Sequence, residues 1–261
     1  MLFRSEKGAA QAAYFGKRVA IVEAHREPGG ATVHTGTLPS KTLREASLYL
    51  SGHRSRELYG VAVELNRDTT LATLLERKSA ISMSESARMR DNLERHGVEY
   101  FQGKARFVDA HTVSVGEQTL TADIVLVSTG SEPYRPDTIA FESPAIHDTD
   151  EILEITEIPA SMTIIGAGVI GCEYACMFSA LGCDITLVDA RLGVMPFLDR
   201  EIVERLQHAM AEMGVEFLLG KEWRNITDTG AGVETVFADG DRKSTRLNSS
   251  HSQQSRMPSS A

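Results

Sequence analysis

Residues 161–189, SMTIIGAGVIGCEYACMFSALGCDITLVD, decide the fold. The apolar run Met162 to Ile165 predicts a buried strand, Val169 to Leu181 a helix, and Ile185 to Val188 a second strand that closes on Asp189. Between the first strand and the helix stand Gly166, Gly168 and Gly171, spaced G-x-G-x-x-G. The spacing alone is weak evidence. Strand, glycine turn, helix, strand and acidic residue in this order make it specific for a dinucleotide. Gly166 permits the tight turn, Gly168 lets backbone N–H groups reach a pyrophosphate, and Gly171 lets helix and strand close on each other. Gly166, Gly168, Val169, Ile170 and Gly171 are therefore the predicted nucleotide-contacting turn, with the positive end of the helix facing the phosphates. Asp189 can accept hydrogen bonds from ribose hydroxyls, which favours NAD. Arg191 lies near enough in sequence to offer charge to a 2′-phosphate, so the predicted ligand class is NAD(P).

The same alternation extends outward. Downstream, Asp199 to Met213 predicts a helix capped by Gly214, followed by further strands. Upstream, the small residues Gly8 to Ala13 predict a close-packing helix that ends at Gly16. The strand Val19 to Val22 follows and finishes at Glu23. After a turn through Pro28-Gly29-Gly30, helices are expected over Pro39–Leu50 and Leu71–His96, the second with Gly97 as its cap. Short strands are expected around Val98–Phe101, Ala105–Val108 and Thr112–Val115, then an apolar strand Ile124–Val127 that stops at Ser128-Thr129-Gly130. Pro133, Pro136 and Pro144 punctuate a connection, with a boundary near Asp148 to Glu151. Strand, crossover helix and parallel strand in repetition imply an α/β fold of two doubly wound, Rossmann-like dinucleotide-binding units. The expected divisions are residues 1–150, 151–240 and a tail, 241–261. From Arg242 the tail reads RKSTRLNSSHSQQSRMPSSA, with almost nothing apolar. Such a segment is expected to be disordered, and foreign to the native coding sequence.

The 42% hydrophobic content is that of a globular protein with a core, and the net charge of −9 comes without a basic, aromatic-laced stripe. Nucleic acid is therefore not an expected partner. No apolar run reaches membrane-spanning length, and Met1 to Lys7 lacks the features of a secretory leader, so neither membrane nor export is expected. Cys172, Cys176 and Cys183 are odd in number and confined to one stretch, with no histidine at ligand spacing. They read as reduced, core-filling thiols in a cytoplasmic protein, and no metal site is expected.

The first half reproduces the later part of the second unit. Glu23 ends its strand as Asp189 ends the other. Carried back by the separation of those two acids, the three glycines fall before Met1, on Leu2 and on Ser5. The expectation is a unit whose first strand and phosphate loop are missing. An ordinary helix–strand pair ending in a surface acid is the bland alternative.

Several motifs then fall in one order: Val19-Ala20-Ile21-Val22-Glu23, Pro28-Gly29-Gly30, Gly36-Thr37-Leu38-Pro39-Ser40-Lys41, Gly103-Lys104-Ala105-Arg106-Phe107 and Ser128-Thr129-Gly130-Ser131. Together they resemble the flavin side of the pyridine nucleotide–disulfide oxidoreductases. Within that family, Thr37 to Ala46 and Gly166 to Ala175 resemble the soluble pyridine nucleotide transhydrogenases. The resemblance covers roughly residues 5–240. It implies that the first unit binds FAD, with Glu23 on the adenosine ribose and Gly29, Gly30, Ala31 and Thr32 along the phosphate and ribitol. It further implies Lys41 near the flavin N5, Ala105 at the adenine, Thr129 and Gly130 closing over the cofactor, and Glu173 in the nicotinamide site. A homo-oligomeric parent protein is implied as well.

The disulfide reductases of this family place a cysteine pair beside the flavin; the aligned positions here are Thr32 and Thr37, and no cysteine precedes Cys172. Threonine forms no thiolate and no mixed disulfide, so lipoamide, glutathione and mercuric-ion chemistry are excluded. The implied function is hydride transfer between NADPH and NAD+ through FAD, an NAD(P) transhydrogenase. One alternative is a truncated, inactive fragment that at most binds a nicotinamide dinucleotide. Another is a dihydrolipoamide-dehydrogenase-like flavoprotein without its redox disulfide.

Overall fold

The computed structural model describes residues 5–50 and 67–246. These form two compact units: residues 5–46, 71–134 and 149–154 in the first, 135–148 and 155–246 in the second, with 47–50 and 67–70 grouped with the latter.

The first unit begins with α1 (Ser5–Tyr14), whose small residues Ala9 and Ala10 are buried. Lacking bulk, this face lets the helix lie close to β1 (Ala20–Glu23), and Ala9, Leu93 and Val98 share a core cluster with Ala13, Val19, Ile21 and Tyr100. Gly16, at φ +76°, turns the chain between them. From β1 the chain crosses over through α2 (Gly30–His34), α3 (Thr37–Leu50) and α4 (Arg67–Arg95) to β2 (Glu99–Gln102). β2 pairs parallel to β1, Ala20 opposite Glu99 and Glu23 opposite Gln102. The end of α4 is set by Gly97 at φ +65°, which lets Val98 N–H reach back to the Leu93 carbonyl at 3.0 Å. An antiparallel meander follows: β3 (Ala105–Phe107), β4 (Thr112–Val115) and β5 (Gln118–Thr121).

The second unit holds a parallel sheet of β6 (Ser161–Ile165), β7 (Asp184–Asp189) and β8 (Glu216–Leu219), in that order. The crossovers are α5 (Val169–Ala180) and α6 (Arg200–Glu212). Ile185, Leu187 and Val188 are buried with Tyr174, Met177, Phe178 and Met210, so the apolar faces of strand and helices supply the core. Asp199 caps α6 by accepting the Glu201 N–H at 2.9 Å. Gly214, at φ +96°, leads out of α6. A second antiparallel sheet consists of β9 (Trp223–Asp228), β10 (Gly232–Phe237) and β11 (Arg242–Arg246). No described helix is both long and apolar enough to cross a membrane.

Two expectations need correction. Ile124–Val127 forms no strand: it has no ladder partner among the described residues, and Ile124, Leu126 and Val127 are 87%, 73% and 62% exposed. A short apolar run becomes a strand only where another strand pairs with it, and the run itself cannot specify that neighbour. Arg242–Arg246 is not disordered but forms β11, antiparallel to β10. Its backbone ladder is reinforced by ion pairs from Arg242 to Glu234 at 3.1 Å and from Lys243 to Glu216 at 2.5 Å. An edge strand can be polar when pairing, rather than burial, holds it. Residues 247–261, also expected to be disordered, lie outside the described residues.

Candidate functional site

The glycine turn joins β6 to α5. Gly166 takes φ +108°, a conformation side chains disfavour, and its N–H donates to the Val188 carbonyl at 2.7 Å, tying the turn to the end of β7. A Cβ on Gly171 would stand 1.9 Å from the Gly166 carbonyl oxygen, so only glycine lets α5 cross β6 this closely. A Cβ on Gly168 would meet nothing within 4 Å, so the requirement for glycine there is not internal packing. Gly168 is the N-cap of α5 and caps it with no side chain, leaving N–H groups of the first turn without side-chain acceptors. Val169 and Ile170, in that turn, are about half exposed, at 56% and 53%. Glu173 lies one turn further along α5, partly buried.

Asp189 faces this turn from the end of β7, only 7% exposed. Its Oδ2 accepts the Ala167 N–H at 2.7 Å and Arg191 Nη2 at 2.6 Å; its Oδ1 accepts the Arg191 backbone N–H at 2.8 Å and Nε at 2.9 Å. The guanidinium bonds, helped by the two backbone donors, hold the carboxyl well below the usual carboxylate range although burial pushes the other way. The Asp189 and Arg191 carbonyls accept from Lys221 and Gly220 N–H at 3.1 and 3.0 Å, fixing the loop to the end of β8. Sequence reasoning missed Ala167, whose buried N–H orients the carboxylate and whose carbonyl accepts the Met195 N–H at 3.0 Å. Backbone partners of this kind leave no side-chain signature. None of the three cysteines is in a disulfide, and burial pushes the Cys172 thiol up to about 11, which makes it an inert packing group.

In the first unit, Glu23 ends β1 and accepts the His25 N–H at 2.9 Å, the same two-residue bond that Asp189 makes with Arg191. The Glu23 carbonyl accepts the Gly103 N–H at 2.8 Å, which brings Lys104 and Ala105 next to this strand end. Gly29 and Gly30 both take positive φ, +133° and +54°, and a Cβ on Gly29 would stand 2.6 Å from Val33 Cβ. Ala31 and Thr32 follow on α2, Thr37 and Lys41 on α3; Thr32 and Thr37 are partly buried and Lys41 is exposed. Thr129 and Gly130 are exposed and outside regular structure. Among the described residues, no hydrogen bond joins Glu23, Lys41, Ala105 and Thr129 to one another. The structure thus brings Asp189 to the glycine turn in the second unit, and in the first unit sets Ala105 near the strand end at Glu23.

The profile of the pyridine nucleotide-disulphide oxidoreductase family matches residues 6–248. A soluble pyridine nucleotide transhydrogenase of Mycobacterium bovis is 42% identical over 241 residues, which are 90% of this chain and 52% of that protein. One from Colwellia psychrerythraea is 35% identical over 222 residues, 83% of this chain and 47% of its own length. The chain thus spans about half the length of the curated relatives it matches. Among solved structures, the HOCl-induced flavoprotein disulfide reductase RclA of Escherichia coli superposes with a TM-score of 0.79 at 21% identity, over 92% of this chain and 52% of that one. LpdA of Mycobacterium tuberculosis gives 0.78 at 22% identity, over 92% and 54%. These two likenesses establish the fold alone. With the profile spanning nearly all of the sequence, the chain belongs to the pyridine nucleotide-disulphide oxidoreductase family.

Proposed function

We propose that the chain binds FAD on its first unit and a nicotinamide dinucleotide on its second, as part of a soluble NAD(P) transhydrogenase that moves hydride between NADPH and NAD+. The residues that would hold the nicotinamide dinucleotide are Gly166, Gly168, Val169, Ile170 and Gly171 along the pyrophosphate, Asp189 at the adenosine ribose and Glu173 toward the nicotinamide. Those that would hold FAD are Glu23 at the ribose, Gly29 to Thr32 and Thr37 along the phosphate and ribitol, and Ala105, Thr129 and Gly130 around the remainder, with Lys41 near the ring. Bound FAD supplies a carrier for two electrons between one nicotinamide and the next. This chain's own part is to bind and orient: α5 offers its N–H groups to phosphate, and the positive-φ glycines leave room for backbone to approach it.

The observation that carries the choice of acceptor is threonine at positions 32 and 37, with no cysteine before Cys172. Without a thiolate, a disulfide substrate has no entry point. The cysteines further along, none of them in a disulfide, suit a reducing compartment such as the cytoplasm.

A second reading, a nicotinamide-binding module without flavin, is favoured by the exposure of Ile124, Leu126 and Val127 outside any strand. The visible spectrum of the purified chain supplied with FAD separates the two. Bound yellow flavin bleached by NADPH supports the flavoenzyme. A colourless protein that still binds NAD+ by calorimetry refutes it and supports the module.

A further inference from the structure

Helix α4 carries a hydrogen-bond donor at every fourth position, Lys78, Ser82, Ser86 and Arg90, and each donates to a main-chain carbonyl of another segment. Positions four apart share one helix face, so these donors form a single stripe. Lys78 Nζ meets the Leu153 carbonyl at 3.0 Å. The others hold residues 26–33: Ser82 the Val33 carbonyl at 2.8 Å, Ser86 the Pro28 carbonyl at 2.7 Å and Arg90 Nη2 the Arg26 carbonyl at 2.9 Å. Ser82 and Ser86 are buried. Within the held segment, Gly29 and Gly30 have no side chain to fix their backbone, so the turn depends on such outside ties.

His34 closes the centre of this stripe. Its Nε2 lies 3.1 Å from the Pro28 carbonyl oxygen and 3.4 Å from Ser86 Oγ, whose proton is already given to the same carbonyl. Both neighbours therefore present lone pairs to the ring, and a bare Nε2 would repel them. The neutral ring must carry its proton on Nε2.

We infer that His34, held as the Nε2–H tautomer, is a positioning residue: with Ser86 it donates into the Pro28 carbonyl and fixes the Pro28-Gly29-Gly30 turn in the shape that receives the flavin's phosphates. The inference rests on the proposed FAD site and deepens it. The Nε2–H is spent on the backbone of its own turn, so the ring orients that turn and takes no part in hydride transfer. A turn without this latch samples other shapes, and the apparent affinity for FAD falls with the fraction that remains competent.

Two measurements on the full chain test this. Side-chain nitrogen NMR of the neutral His34 ring is expected to show the bonded proton on Nε2, with FAD or without it; a proton on Nδ1 overturns the inference. Flavin fluorescence then reads FAD affinity in the unsubstituted chain and in His34→Gln, His34→Asn and His34→Ala. A glutamine amide reaches the place of Nε2, whereas an asparagine amide ends near that of Nδ1. His34→Gln is therefore expected to keep FAD affinity within about twofold, while His34→Asn and His34→Ala weaken it by about three- to tenfold, the scale of one hydrogen bond. Equal affinity in all of these proteins overturns the inference and leaves the FAD site standing. Equal weakening in every variant also overturns it, because the bulk of the ring and not its donor would then be what the turn needs. If the unsubstituted chain binds no FAD, the flavin reading itself fails and the inference falls with it.

Discussion

One methyl group separates the roles of Gly168 and Gly171. At Gly171 it would overlap the Gly166 carbonyl oxygen at 1.9 Å, so Gly171→Ala must push α5 off β6. The expected loss is about 1–3 kcal/mol or more of stability, read from a denaturation midpoint. At Gly168 the methyl would meet nothing within 4 Å, and φ −82° with ψ −171° suits alanine. Gly168→Ala should cost no more than about 1 kcal/mol of stability, the scale of a weakened N-cap. It should nevertheless lose at least about tenfold in NAD+ affinity by calorimetry, because the space is wanted by the ligand rather than by the fold. Unchanged affinity would remove Gly168 from the site. Asp189 gives a pH signature. Its folded-state pKa is depressed by the Arg191 side chain first and by backbone donors besides, so its contribution to stability is full above the unfolded value of about 3.9 and lost as pH falls through the folded one. The gap in urea midpoint between the wild type and Asp189→Asn should hold constant from about pH 7 to 5 and narrow below about pH 4. A gap that widens with acid contradicts the assignment. The glycine turn and the place of Asp189 beside it were legible in the sequence because the spacing falls between a strand, a helix and a second strand in the right order. Ala167 was not, because its contribution is a backbone N–H that any residue carries.

Elements were legible where their own residues carry the reason for them. β6, α5 and β7 follow from apolar periodicity broken by glycine, and the end of α4 from Gly97. The structure adds α2 and β5, whose sequences, GATVH and QTLT, give no periodic signal. It removes the strand Ile124–Val127 and supplies β11 instead, because pairing is decided by the partner strand and not by the apolar content of the run itself. The placement of α2 depends on a partner distant in sequence. Ser86, buried on α4, donates to the Pro28 carbonyl at 2.7 Å, the same oxygen that lies 3.1 Å from His34 Nε2, while Ser82 donates to the Val33 carbonyl at 2.8 Å. Ser86→Ala removes one of these ties in a buried setting. It is expected to lower stability by about 1 kcal/mol, seen as a shifted denaturation midpoint with unchanged slope. No shift would mean that the Ser86 bond contributes nothing to holding α2.

For the whole molecule, two α/β units each present an acidic strand end that accepts a backbone N–H two residues on, Glu23 from His25 and Asp189 from Arg191. The likeness is chemical as well as topological, since each is the position where a ribose is held in a dinucleotide fold. At the two positions aligned with the redox cysteines of the disulfide reductases the chain carries threonines, and under the proposed function a nicotinamide would both deliver the reducing equivalents and carry them away. The most direct test is anaerobic. The FAD-loaded protein is reduced with one equivalent of NADPH, then offered NAD+ or oxidised lipoamide while the visible flavin absorbance is followed. Expected is recovery of the absorbance with NAD+, with one NADH formed per flavin, and none with the disulfide. Recovery with oxidised lipoamide but not with NAD+ would contradict the assignment.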